Sequence, residues 1–193
     1  LLGYQFGYPG KKLLFMGAEL GQLSEWNHDS AMDWALLGNE EHRALLAYSR
    51  ALHRLYRNHP ALYELDHDSG GFQWLDCDDA DHNLLVFRRQ GRSDDQVLVF
   101  VCNFSPTVRK TRLQLPFGGT WKLLLNSDEL EYGGSGLAPL EGDEQVADDI
   151  AHRGQTHSCE VHLPPLAVFV LAARPLAQPG SSAGLTGARR EEI

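Results

Sequence analysis

The sequence predicts one strand–loop–helix unit of an α/β barrel, followed by an all-β sandwich. Three observations predict it. A short apolar run at residues 11–16 is framed by Pro9-Gly10 and Gly17. A stretch over 40–59 repeats apolar residues at steps of three and four, the period of a helix. After residue 60 the pattern changes to short alternating runs separated by turn residues, which is the pattern of strands.

The run Lys11-Lys12-Leu13-Leu14-Phe15-Met16 reads as a buried strand over 11–16. Both of its faces look apolar, so it is expected to be parallel. Residues 17–38 read as a long loop that carries Glu19, Gln22, Glu25, Trp26, Asn27, His28, Asp29, Asp33 and Trp34. A stretch of this length without periodicity is usually functional or disordered, and two tryptophans favour function. Next comes the helix over 40–59. Asn39 is its N-cap, Glu40 and Glu41 suit the positive end of its dipole, and Pro60 ends it. Its apolar face is Leu45, Tyr48, Leu52, Leu55 and Tyr56.

The strands follow in order. They are Phe72 to Leu75, Leu84 to Phe87, Val97 to Val101, Thr111 to Leu115, Trp121 to Leu125, Cys159 to Leu163, and the continuous run Leu166 to Ala172. Short strands with turn signals between them suggest a β-sandwich. Residues 126–156 are a Gly- and acid-rich excursion without an assignment, and the tail over 174–193 reads as disordered. A lone β/α unit cannot bury its strand, and nothing after residue 60 offers parallel partners. The chain therefore reads as the C-terminal piece of a longer protein whose barrel precedes it, with the loop 17–38 at the ligand-bearing end of that barrel.

Composition excludes several classes. The 17 Lys and Arg against 26 Asp and Glu leave a net charge of −9, with no basic stripe for nucleic acid or an anionic membrane surface. No apolar run approaches the roughly 20 residues a membrane helix needs. Three cysteines, Cys77, Cys102 and Cys159, are odd in number and lack metal-ligand spacing. They suit a reducing, cytoplasmic compartment and read as inert core residues. His152, His157 and His162 do not make a convincing metal set, the serines lack a nucleophile elbow, and Gly133-Gly134-Ser135-Gly136 lacks the Lys of a phosphate loop. Neither a metal nor a cofactor is expected. What remains in the loop is aromatic planes with carboxylates and amides. A sugar needs both, since its C–H face stacks and its hydroxyls need paired donors and acceptors.

Specific motifs then narrow the class. The stretch Pro9-Gly10-Lys11-Lys12-Leu13-Leu14-Phe15-Met16-Gly17-Ala18-Glu19-Leu20-Gly21-Gln22, with Glu25-Trp26-Asn27-His28-Asp29 and Asp33-Trp34, resembles the end of the catalytic barrel of bacterial 1,4-α-glucan (glycogen) branching enzymes. The likeness continues through Leu55-Tyr56-Arg57-Asn58-His59-Pro60, Gly71-Phe72-Gln73-Trp74, Val101-Cys102-Asn103-Phe104-Ser105-Pro106, Leu125-Asn126-Ser127-Asp128, Tyr132-Gly133-Gly134-Ser135 and Leu163-Pro164-Pro165-Leu166-Ala167. It covers roughly residues 8–173.

The resemblance implies the α-amylase superfamily, the last unit of a (β/α)8 TIM barrel and an all-β C-terminal domain. It divides the chain into 1–59, the end of the catalytic barrel, and 60–173, the β domain. It implies α-glucan as substrate, the chain's own preceding barrel as partner, and transfer of a cut α-1,4 chain to a C6 hydroxyl through a glycosyl-enzyme. The family's nucleophilic Asp, acid/base Glu and third Asp all precede the matched segment, so no catalytic residue is assigned here. Asp29 follows the last barrel strand and is given no catalytic role. Glu19, Gln22, Trp26, Asn27 and Asp29 are the expected glucan-contacting residues at the cleft rim. The competing readings are a related superfamily hydrolase, trehalose-forming or debranching, and a non-enzymatic glucan-binding or structural sandwich that would use Trp74 and Trp121.

Overall fold

The protein is described by a computed structural model covering residues 1–25 and 27–174. Among the described residues there are eight strands, β1 Phe72–Asp79, β2 Leu84–Gln90, β3 Val97–Asn103, β4 Arg109–Leu115, β5 Thr120–Asn126, β6 Glu144–Val146, β7 His157–Leu163 and β8 Val168–Arg174. Six of them make one sheet in the order β1-β2-β3-β8-β5-β6, and β4 pairs with β7 in a second sheet. All of these pairings are antiparallel.

The larger sheet is buried on both faces at its centre, because side chains alternate between two cores. On β3, Val97, Val99 and Val101 join Val86, Leu113, Leu115, Trp121, Val161, Phe169 and Leu171 in the core of the sandwich. Leu98, Phe100 and Cys102 point the other way. They meet two helices, α1 Leu2–Gly7 and α2 Glu40–Asn58, through Phe6, Tyr48, Leu52 and Leu55. The layers are therefore helices, six strands and two strands. This explains the uninterrupted apolar runs at β3 and in Val168–Leu171 of β8, where both faces of the strand are covered.

The helix α2 forms where its sequence pattern places it. Asn39 accepts from the Glu41 amide at 2.8 Å, and Glu40 and Glu41 occupy the first turn. Its apolar face lies on the antiparallel sheet of this same chain. The short helix α1 was not foreseen. Gly7 lets it settle on the sheet, because a Cβ there would fall 2.6 Å from the Phe100 ring and 2.8 Å from that of Phe87.

Three expectations need correction. The strand over 11–16 is not present. Residues 11–15 make no ladder, and Leu13 and Phe15 are 71% and 59% exposed. A strand needs a neighbour, and residues 11–15 pair with none of the described strands. The chain there is held instead by Gln5, whose amide donates to the Leu13 carbonyl, and by Lys12, whose amine donates to that of Tyr8. The run from Leu166 begins later, at Val168, because Leu166 takes a left-handed φ of 52° and turns the chain out of the sheet. Cys77 is exposed, whereas Cys102 and Cys159 are buried thiols. Residues 126–156 hold a 3-10 turn, Leu130–Tyr132, and the edge strand β6. Arg174 closes β8, and the rest of the expected tail, 175–193, lies outside the described residues.

One ion pair crosses these layers. Arg89 on β2 is fully buried. It donates through Nη1 to the Gly7 carbonyl at 2.7 Å, through Nε to that of Gly71 at 3.1 Å, and through Nη2 to the Asp66 carboxylate. Replacing Arg89 by Met would leave two carbonyls and a carboxylate without their donors. We expect Arg89→Met to cost about 3 kcal/mol or more. A urea unfolding midpoint equal to that of the unsubstituted chain would refute this role.

Candidate functional site

The polar loop begins at Gly17, whose left-handed φ of 88° starts a 3-10 turn, Ala18–Leu20. The turn ends at Gly21, φ 64°, where an added Cβ would meet a Leu45 methyl of α2 at 2.8 Å. Leu20 is fully buried and anchors this end. The other end is a second 3-10 turn, Trp34–Gly38, capped by Asp33, whose carboxylate accepts from the Ala35 amide at 3.1 Å.

The expected contact residues separate into two groups. Glu19 sits half-buried in the first turn, and Gln22 is half-buried beside it. The Gln22 side chain reaches across the loop, where its Oε1 accepts from the Asp33 amide at 3.4 Å. Its Nε2 donates to the Ser24 carbonyl and hydroxyl, both at 3.4 Å. Asn27 and Asp29 lie at the exposed tip. Asn27 Oδ1 accepts from the Asp29 amide at 2.9 Å, which makes an Asx turn, and the Asp29 carboxylate pairs with His28 at 3.3 Å. Trp26 lies outside the described residues. Trp34 is 60% exposed and presents a flat apolar face at the loop's exit. The loop thus brings Gln22 and Asp33 together, while Asn27 and Asp29 meet each other at the exposed tip.

Two side chains that the sequence reading passed over join this loop to α2. His42 Nδ1 lies 2.6 Å from the Leu20 carbonyl. Arg43 donates through Nη1 to the carbonyls of Leu37 and Gly38, each at 2.9 Å. They stand at the third and fourth positions after the N-cap Asn39, and nothing in the spacing marked them. Elsewhere, Trp121 is fully buried, so it forms no exposed pair with Trp74. Trp74 is half-buried, with ring centroids 5.1 Å from Phe72, 5.7 Å from Phe87 and 6.2 Å from the partly exposed Tyr8. Among the described residues no group of three or more His, Cys, Asp or Glu side chains is placed to hold a metal ion, and no helix is long and apolar enough to cross a membrane.

Lys12, just before the loop, sits with its amine 5.5 Å from the Tyr56 ring centre. Burial pushes its pKa down from 10.5 to about 8, opposed by nearby Asp66 and assisted by the Arg89 charge. Above about pH 8 the folded chain releases this proton while the unfolded chain still holds it. The unfolded state then binds more protons, so this group makes stability rise with pH between about 8 and 10.5. The difference in unfolding free energy between the unsubstituted chain and Lys12→Met should follow that rise. A difference independent of pH over this window would contradict the burial of the amine.

Residues 74–174 match the family described as "Alpha amylase, C-terminal all-beta domain". The chain is 46% identical over 172 residues to the 1,4-alpha-glucan branching enzyme GlgB of Aromatoleum aromaticum, covering 89% of this chain and 27% of that protein. It is 41% identical to the GlgB of Aquifex aeolicus over the same shares of each chain, and 44% identical to that of Bradyrhizobium diazoefficiens over 87% of this chain and 23% of that one. The chain therefore spans about a quarter of the length of the curated relatives it matches. Among solved structures, AmyP in complex with maltose superposes with a TM-score of 0.59 at 21% identity, over 92% of this chain and 34% of that one. The Nostoc punctiforme debranching enzyme superposes with a TM-score of 0.59 at 18% identity, over 89% and 30%. At these identities the structural likeness shows the fold alone.

Proposed function

The chain belongs to the family of alpha amylase C-terminal all-beta domains, and from that premise we propose that it is the C-terminal part of a cytoplasmic 1,4-α-glucan branching enzyme. The observation that carries this reading is the extent of the likeness. Identity of 41–46% to branching enzymes covers nearly nine tenths of the chain, so it includes α2 and most of the polar loop as well as the β domain. A common β domain alone would leave the first 70 residues unmatched.

In this reading the parent cuts an α-1,4 glucan chain and transfers the piece to a C6 hydroxyl, which makes a branch in a glycogen-type polymer. The reaction retains configuration. It needs a carboxylate nucleophile and a carboxylic acid about 5–5.5 Å apart. Both come from the barrel that precedes this chain in the parent, and residues 60–173 form the β domain, on which the α2 helix is packed. The contribution of this chain is to contact glucan. Glu19 and Gln22 supply hydrogen bonds at the base of the loop, Asn27 and Asp29 supply them at its tip, and Trp26 supplies a stacking plane. Sugar hydroxyls act as donor and acceptor at once, so a carboxylate beside an amide side chain suits them.

Alone, the 193-residue chain is expected to form no branches. Joined in frame behind the preceding part of the Aromatoleum aromaticum enzyme, it should convert amylose into a product from which a debranching enzyme releases short chains. New reducing ends without new α-1,6 linkages would refute the branching reading in favour of a hydrolase.

A further inference from the structure

Among the described residues, the loop's own side-chain hydrogen bonds are local or long. Asn27 bonds to Asp29, Asp33 to Ala35, and the Gln22–Asp33 contact is 3.4 Å. These bonds shape the loop, but they do not fix where it stands on the body of the protein. Two consecutive residues of α2 tie down its ends. His42 meets the Leu20 carbonyl at the entry, and Arg43 meets the Leu37 and Gly38 carbonyls at the exit. Successive helical residues point about 100° apart, so neighbours on one turn can reach two strands of passing chain. The Asn39 cap sets where that turn begins. The helix is itself held by the sheet through Tyr48, Leu52 and Leu55.

We propose that His42 and Arg43 are positioning residues that preset the described loop residues, 21–25 and 27–37, for a glucan, with His42 held as the Nδ1–H tautomer. The proposal rests on the reading of this loop as a glucan contact. A carbonyl oxygen only accepts, so the ring nitrogen facing Leu20 must carry the hydrogen, and in the neutral ring Nε2 is then bare. A loop ordered before its ligand arrives does not lose that freedom on binding, which strengthens affinity without a new contact. The close passage of Gly21 beneath Leu45 leaves the entry no room to shift toward the helix.

The first test is the His42 tautomer, read from imidazole proton–nitrogen correlations of the nitrogen-15-labelled chain near neutral pH. A proton on Nδ1 is expected, and a neutral ring with its proton on Nε2 would overturn the proposal. The second is amide exchange over 21–37. It should speed up about tenfold in His42→Ala and in Arg43→Ala, the effect of one lost hydrogen bond. It should stay near the original rate in His42→Asn, which keeps an N–H donor. Equal rates in all four chains would overturn the proposal, and so would failure of Asn to rescue. The third is titration with maltoheptaose, followed by the same amides. Unchanged affinity in His42→Ala would overturn the presetting. If the unsubstituted chain shows no response at all, the glucan reading of the loop fails, while the clamp is still decided by the tautomer and the exchange rates.

Discussion

A buried guanidinium is costly to place, and the site around Arg89 shows what compensates for it. Removing the charge from water costs several kcal/mol unless every donor finds an acceptor. Here the acceptors come from three separate segments, namely the end of α1, the connection through Asp66, and the turn before β1. None of those segments is a strand, yet all three are fixed to β2. Arg89 thus joins the helical part of the chain to the sheet. The cost of burying it is recovered only when α1, the 59–71 connection and the sheet are all in place.

From that junction the rest follows by packing. The six-stranded sheet has two apolar faces, one closed by β4 and β7 and the other by α1 and α2. Tyr48 on α2 shows how the second interface is made. Its ring lies 5.3 Å from that of Tyr132, and its hydroxyl is buried, which keeps the phenol protonated far above ordinary pH. The turn carrying Tyr132 is rigid because the Asp128 carboxylate accepts from the Ser135 amide at 3.0 Å, the Ser135 hydroxyl at 2.6 Å and the Leu137 amide at 3.0 Å. The β domain therefore holds α2, and α2 holds both ends of the polar loop, whose side chains are the ones proposed to contact glucan.

Much of this was legible in the sequence, for identifiable reasons. The α2 boundaries followed from a cap, two acidic residues and Pro60, which are all local signals. The positions of seven strands followed from alternation or from continuous apolar runs. Contacts between distant segments were not legible. The helix face was read as awaiting a barrel sheet, whereas the antiparallel sheet of the same chain covers it. Periodicity shows that a face must be buried, but not against what. The run 11–16 has the composition of a strand and no neighbour to pair with, so composition and structure part there. In the site, the polar character of the loop and its residues could be read directly. The closeness of Gln22 to Asp33, and the reach of His42 and Arg43 to the loop's ends, depend on how the chain folds back on α2 and left no mark on spacing.

The central claim is that the helices and the β sandwich are one body. Native-state amide exchange tests it most directly, by comparing Tyr48 to Leu55 in α2 with Val99, Val101 and Val170 at the centre of the sheet. The account predicts that both sets exchange only through the same global opening, with equal free energies and equal sensitivity to denaturant. Exchange of the α2 amides through a separate opening of lower free energy, while the strands stay protected, would show that the helix is not part of the domain and would contradict the account.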